Sequence, residues 1–259
     1  MEFCGESQPS IISTPSHATA GTITDLTHLI PLDFTYVVYD STTSHSIILA
    51  YLTFLPIVLG LVLFNSFLLR RDLESAFQSC GLVFSTAINT ILKRIVAQPR
   101  PVGSVKLGHG WPSDHAQFSF FFVTYFSFWL IYRSRMAPIV RLLIIVTIFP
   151  TAVIVCWSRY HLGVHSLEQL LAGGCVGIGL GAIWGLAGRL FVWRYIYPRL
   201  QDSKLGAMFG LKDLHQLPKG YKSANEFEYE IYREAMRKNR SAPTSPVPPN
   251  TTAGNKKEL

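Results

Sequence analysis

Three short segments carry most of the residues able to do polar chemistry: Lys93 to Pro101 reads KRIVAQPRP, Gly108 to Phe118 reads GHGWPSDHAQF, and Ser158 to Gln169 reads SRYHLGVHSLEQ. They combine cations, a serine hydroxyl and histidines. A phosphoryl group in transfer spreads negative charge over its equatorial oxygens. A site that handles it needs fixed donors: the planar fork of Arg, a Lys, and hydroxyl or backbone groups. Lys93, Arg100, Ser113 and Arg159 form such a set. The other requirements are a nucleophile and an acid for the leaving oxygen, and His115 and His165, carried by different segments, are suited to divide them. Pro101 and Pro112 stiffen the chain beside these groups, because proline fixes its own φ and restricts the residue before it.

Each residue alone has a plainer structural account. Lys93 and Arg100 are long basic side chains of the kind that flank membrane spans and snorkel to the interface. Ser113 precedes an apolar run and so is placed to cap a helix, a position that also favours anions. His161 and His165 lie four apart and would make a metal pair on a helix, but no second ligand cluster or HExxH pattern accompanies them. The specificity lies in the combination.

The elements that must carry these segments are membrane helices. Of 259 residues, 49% are hydrophobic and only 15% charged, too apolar for an ordinary soluble domain. The expected fold is an all-α polytopic membrane bundle of about five helices, each able to cross a hydrocarbon core of roughly 30 Å. They are placed at Ser46 to Leu69, Leu73 to Leu92, Ala116 to Tyr132, Pro138 to Trp157 and Leu170 to about Val192. The second holds Glu74, Gln78 and Asn89, which predicts that it packs inside the bundle. The fifth is rich in Gly173, Gly174, Gly177, Gly179, Gly181 and Gly185, which predicts a close packing seam. Four parts follow: a polar amino-terminal arm (1–45), a transmembrane catalytic domain (46–193), a charged tail with a helix (194–240) and a disordered end (241–259).

Charge placement predicts sidedness. No Lys or Arg precedes Arg70, whereas Arg70, Arg71, Arg133, Arg135, Arg141 and the tail from Arg194 gather, with five spans, on one side, which should be cytosolic. The amino-terminal arm and the loops 93–115 and 158–169, with all the candidate chemistry, then face the other side. The net charge of +7 does not point to nucleic acid, because the basic tail also holds Glu226, Glu228, Glu230 and Glu234 and shows no basic patch interleaved with aromatics. The four cysteines form neither a disulfide framework nor a zinc pattern.

The three segments resemble the type 2 phosphatidic acid phosphatase superfamily, whose pattern is Lys-x6-Arg-Pro, then Pro-Ser-x-His, then Ser-Arg-x5-His-x3-Asp. The matching residues are Lys93, Arg100 and Pro101; Pro112, Ser113 and His115; and Ser158, Arg159 and His165. The resemblance implies that His165 attacks phosphorus to form a phosphohistidine and that His115 protonates the leaving group. It also implies that Lys93, Arg100, Ser113 and Arg159 bind phosphoryl oxygens, with no metal or other cofactor. Two positions depart from the pattern. Gln169 stands where an aspartate usually orients the nucleophilic histidine; its neutral amide can accept an N–H bond but stabilises an imidazolium less, and Glu168 is one residue off register. Asp114 stands where glycine is common, and either turns outward or pairs with a nearby base.

The glutamine is shared with the dolichyldiphosphatases, as is the wider signature carried here by Gly108, Gly110, Pro112, Ser113, His115, Gln117 and Phe118. That narrower resemblance implies hydrolysis of dolichyl diphosphate to dolichyl monophosphate and phosphate at the lumenal face of the endoplasmic reticulum, which recycles the carrier for N-glycosylation. The partners implied are a polyprenyl diphosphate lipid and the bilayer. Lys256 and Lys257 resemble a cytosolic dilysine signal read by coat proteins. Rival readings are a phosphatase for phosphatidate, sphingosine phosphate or another polyprenyl diphosphate, vanadium haloperoxidase chemistry, and a non-catalytic lipid-binding membrane protein.

Overall fold

The computed structural model describes residues 29–32, 37–43, 45–104, 106, 108–216, 220–221 and 224–241. Lys256, Lys257, Cys4 and most of the polar arm lie outside the described residues. The arm enters through an antiparallel pair, β1 (Leu29–Leu32) and β2 (Val37–Asp40), with Leu29 opposite Asp40, a hairpin that the polar composition did not suggest. Helices then form at each of the five expected places. They are α1 (Ser46–Leu52) with α2 (Leu55–Arg70), α3 (Leu73–Val96), α4 (Asp114–Tyr132), α5 (Pro138–His161) and α6 (Leu167–Ala187). The chain continues through a π-helical stretch, Gly188–Ile196, into α7 (Tyr197–Gln201), α8 (Lys204–Phe209) and the charged α9 (Ala224–Ser241).

Among the described residues, three stretches are long and apolar enough to cross a membrane by themselves: Ser46–Arg70 with 25 residues, Pro138–His161 with 24 and Leu167–Gln201 with 35. The chain is a multi-pass membrane protein, with helices at all five expected places and three of these meeting that standard by length and composition. α3 and α4 are helical without meeting that standard, because each carries polar groups that the bundle buries. Asn89 of α3 donates to Gln117 Oε1 of α4 at 2.8 Å, and Gln117 donates to the Ser85 carbonyl at 2.6 Å. Such groups are tolerated at membrane depth when neighbouring helices satisfy them.

Boundaries also shift in ways that matter for the site. α3 runs on to Val96, so Lys93 sits in its last turn and not in a loop. α5 continues to His161, so Arg159 is helical as well. The first span breaks between α1 and α2 at Thr53 and Phe54, just ahead of Pro56, whose ring and missing N–H favour a helix start there.

The α4–α6 contact sets the geometry of the bundle. Gly173, Gly177, Gly181 and Gly185 recur every fourth residue and so share one face of α6. A methyl added at Gly173 would collide with the Ser113 carbonyl, at Gly177 with that of Gln117, at Gly181 with that of Phe121, and at Gly185 with the Phe128 ring. Backbone therefore lies against backbone, the form of contact small residues permit in membranes. Of the other expected seam glycines, a methyl added at Gly174 would come 3.2 Å from the Phe120 ring and one at Gly179 would meet nothing within 4 Å.

At the far end of the bundle from the three segments, Glu74 of α3 accepts from Tyr125 of α4 and from Tyr197, the latter at 3.3 Å. Arg133, at the end of α4, pairs with Glu74 at 3.2 Å and with Asp213 of the tail. The tail is also fastened by backbone bonds of 2.9 Å from Leu73 to Lys212 and from Lys212 to Arg71.

Gly177→Leu should force α4 and α6 apart, lower stability by about 1–3 kcal/mol as overpacking does, and abolish activity. Gly179→Leu, with open space around it, should do neither. Thermal unfolding in detergent together with phosphate release checks both.

Candidate active site

The three segments converge because α3, α5 and α6 bring their ends to the start of α4. Ser113 caps α4, its hydroxyl accepting from the Ala116 N–H at 3.5 Å, so the positive end of that helix meets the cations. α6 begins with a capping box in which Ser166 and Gln169 satisfy each other's backbone N–H groups. The two helix starts are joined directly, the Ser113 N–H donating to the Gln169 carbonyl at 2.9 Å.

Gln169 ties the segments together through its side chain. Its amide N–H donates to the Pro99 carbonyl at 2.8 Å, and its Oε1 lies 3.2 Å from His165 Nδ1. A carbonyl only accepts, so the contact with Pro99 fixes which way the amide points. His165 Nδ1 must then carry the proton that Oε1 accepts, so in the neutral ring Nε2 is unprotonated and keeps its lone pair. Gly110 belongs to this arrangement, since a Cβ there would strike the Gln169 amide, and Gly108 has φ +89°, which glycine adopts without strain.

Arg100 stands on the other side of the imidazole, its guanidinium donating to the Val164 carbonyl at 2.8 Å and lying 3.2 Å from His165 Nε2. Burial pushes the His165 imidazole below the ordinary histidine range; Asp114 opposes this, and Arg100 and Arg159 add to it. The ring is therefore neutral near pH 7, as a nucleophile requires. Arg159 is buried and reaches the Thr53 hydroxyl at 3.4 Å, while the neighbouring Ser158 hydroxyl donates to the Leu49 carbonyl at 2.6 Å. Nε of both Arg100 and Arg159 has no partner among the described residues.

Lys93, His115 and His165 surround one carboxylate. Asp114 Oδ1 lies 3.4 Å from Lys93 Nζ, 3.5 Å from His115 Nδ1 and 3.7 Å from His165 Nε2. Next to this cluster a cavity of about 230 Å³ is lined on its polar side by His115, Arg159, Lys106 and Thr53, and on its apolar side by Val38, Phe54, Ile57 and Val164 among others. Cations beside an apolar wall suit an anionic head on a greasy chain.

The structure thus brings Lys93, Arg100, Ser113, His115, Arg159, His165 and Gln169 to one place. It leaves His161 out: that ring contacts the Ser46 hydroxyl at 3.3 Å and packs on His45. Among the described residues, no group of three or more His, Cys, Asp or Glu is gathered to hold a metal. Sequence reasoning did not assign Thr53 and Lys106 to the site. Thr53 sits in an apolar run with no motif, and only the helix break beside Pro56 hinted at it. Lys106 lies in the loop 93–115, but nothing in its spacing ties it to His115.

The PAP2 superfamily profile matches residues 77–195, which contain every motif residue named above. The chain is 36% identical over 202 residues to lipid phosphate phosphatase gamma of Arabidopsis thaliana, covering 73% of this chain and 84% of that one. It is 31% identical over 191 residues to dolichyldiphosphatase 1 of Dictyostelium discoideum, covering 72% and 83%. Its fold is similar to the crystal structure of a transmembrane PAP2-type phosphatidylglycerolphosphate phosphatase from Bacillus subtilis, with a TM-score of 0.50 at 18% identity over 57% of this chain and 79% of that one. By identity to relatives matched over most of their length, by fold and by the phosphatase motifs it carries, this chain belongs to the PAP2 superfamily.

Proposed function

We propose that the protein hydrolyses dolichyl diphosphate to dolichyl monophosphate and inorganic phosphate at the lumenal face of the endoplasmic reticulum, recycling the carrier for N-glycosylation. The observation that carries the chemistry is His165 held between Gln169 Oε1 at 3.2 Å and the Arg100 guanidinium at 3.2 Å, with Nε2 directed toward the cationic cluster. Nε2 attacks the terminal phosphorus in line. Lys93, Arg100, Ser113 and Arg159 take the charge of the equatorial oxygens. His115 gives its proton to the bridging oxygen, and dolichyl monophosphate leaves. His115, now a base, takes a proton from water, which attacks the phosphohistidine; phosphate departs and His165 is restored.

The choice of a diphosphate rests on three supports. Gln169 and the Gly108 to Phe118 signature match the dolichyldiphosphatase pattern. A relative of that name aligns over most of both chains. The neutral glutamine stabilises a charged imidazole less than an aspartate would, which suits a good leaving group: a phosphoric anhydride departs as a phosphate of low basicity and asks less of the nucleophile than an ester does. A phosphatase for another lipid phosphate is the second reading, favoured by the similarity to the Arabidopsis protein.

Assayed on matched lipids, the purified protein should release phosphate from dolichyl diphosphate faster than from phosphatidate or sphingosine phosphate, and His165→Ala should release none. Equal or faster turnover of phosphatidate would move the assignment to the second reading.

Because His165 must be neutral to attack and burial holds its pKa low, kcat/KM should fall only as the pH drops through a value below the ordinary histidine pKa of about 6.5. A pH–rate profile whose acid limb turns at or above that value would contradict a neutral resting nucleophile.

For sidedness, protease treatment of sealed microsomes should cut a tag at the carboxyl terminus and spare one at the amino terminus. The reverse result would put the site on the cytosolic face.

A further inference from the structure

Asp114 sits where the reacting group belongs. Its Oδ1 is within 3.4–3.7 Å of Lys93 Nζ, His115 Nδ1 and His165 Nε2, one group from each of the three motif segments. These distances exceed the 2.7–2.9 Å typical of a charge-assisted hydrogen bond, and Oδ1 is buried with no hydrogen-bond partner among the described residues. Nε2 of the neutral His165 ring carries a lone pair and no proton. This single carboxylate oxygen therefore faces two donors, Lys93 and His115, satisfies neither fully, and occupies the space in front of the nucleophilic nitrogen. The helix needs no further cap from Asp114, since Ser113 performs that role.

A phosphoryl group has the same kind of oxygens, carries more charge and offers three oxygens in place of one, so it can satisfy each donor with its own atom. It cannot do so while the carboxylate remains, because like charges a few ångströms apart repel strongly in a partly buried site. The side chain as a whole is 38% exposed, so there is a way out toward solvent by rotation about its own bonds.

On the basis of the phosphoryl site proposed above, we propose that Asp114 is a built-in competitor for that site. Its carboxylate holds the cationic cluster together in the free enzyme, is displaced when a phosphate group binds, and returns to expel the inorganic phosphate product. It is a positioning residue that trades phosphate affinity for release, and no bond of the substrate is made or broken by it.

The experiment is inhibition of lipid diphosphate hydrolysis by inorganic phosphate and by vanadate, on the full-length protein in detergent, for wild type, Asp114→Asn and Asp114→Gly. The asparagine keeps shape and removes charge, and the glycine removes the side chain. Both variants should bind phosphate and vanadate more tightly, the Ki falling about tenfold or more for loss of one like charge at this range. A merely structural role would loosen binding or leave it alone. Unchanged or raised Ki in both variants overturns the proposal. So does a burst of lipid monophosphate with phosphoenzyme trapped on His165, which would make Asp114 the base for the second step. If phosphate fails to compete with the lipid in the wild type, or His165→Ala still turns over, the underlying site is wrong whatever the Asp114 variants do.

Discussion

The backbone-to-backbone approach of α4 and α6 governs the rest of this structure. Four glycines on one face of α6 let the carbonyls of Ser113, Gln117 and Phe121 come where a side chain would otherwise stand. Without hydrophobic drive between helices in a bilayer, such close packing is a main source of association. Its consequence here is chemical, because it sets the register between two helix starts. The Ser113 N–H reaches the Gln169 carbonyl only at this separation, and that bond places His115 of one helix opposite His165 beside the other.

From that fixed junction the site is assembled by Gln169. One amide group joins the Pro99 carbonyl to the His165 imidazole, so the loop bearing Arg100 and the histidine move as a unit. An aspartate would accept from His165 but could not donate to Pro99. The glutamine thus gives up some stabilisation of a charged imidazole and gains a structural tie, which also decides the tautomer. Around it, cations outnumber anions among the described residues: Nε of the buried Arg159 and of the half-buried Arg100 has no partner there, and Asp114 is the acidic residue beside them. Buried charge of one sign is costly unless an anion is expected, and the cavity beside His115 is where one would enter.

The opposite end solves a different problem. Glu74, Asp213 and Arg133 are taken from water together, with Tyr125 and Tyr197 completing the hydrogen bonds and Trp193 stacking 5.2 Å from the Arg133 guanidinium. Pairing makes that burial tolerable, and it pins the tail segment at Asp213 to the starts of α3 and the π-helical stretch. The glycine face and this network hold the bundle at separate heights, so the site end is shaped by backbone contact and the basic end by charge.

By itself the sequence determined the family, the motif residues and the helical class, because spacing such as Lys-x6-Arg-Pro and long apolar runs are local and survive without coordinates. It also marked α3 as an inward-facing helix through Glu74, Gln78 and Asn89, all of which are buried. Where α3 and α5 end was not legible, since Lys93 and Arg159 look like loop residues to hydropathy although the helices carry them. Nor could apolar content show that α3 and α4 depend on their neighbours for shielding. Only the tertiary structure decided which four glycines form the seam, which way the Gln169 amide points, and that Thr53, Lys106 and Asp114 stand among the motif residues. Those are contacts between residues far apart in the chain, and they exist only once backbone separation and rotation about each helix axis are set.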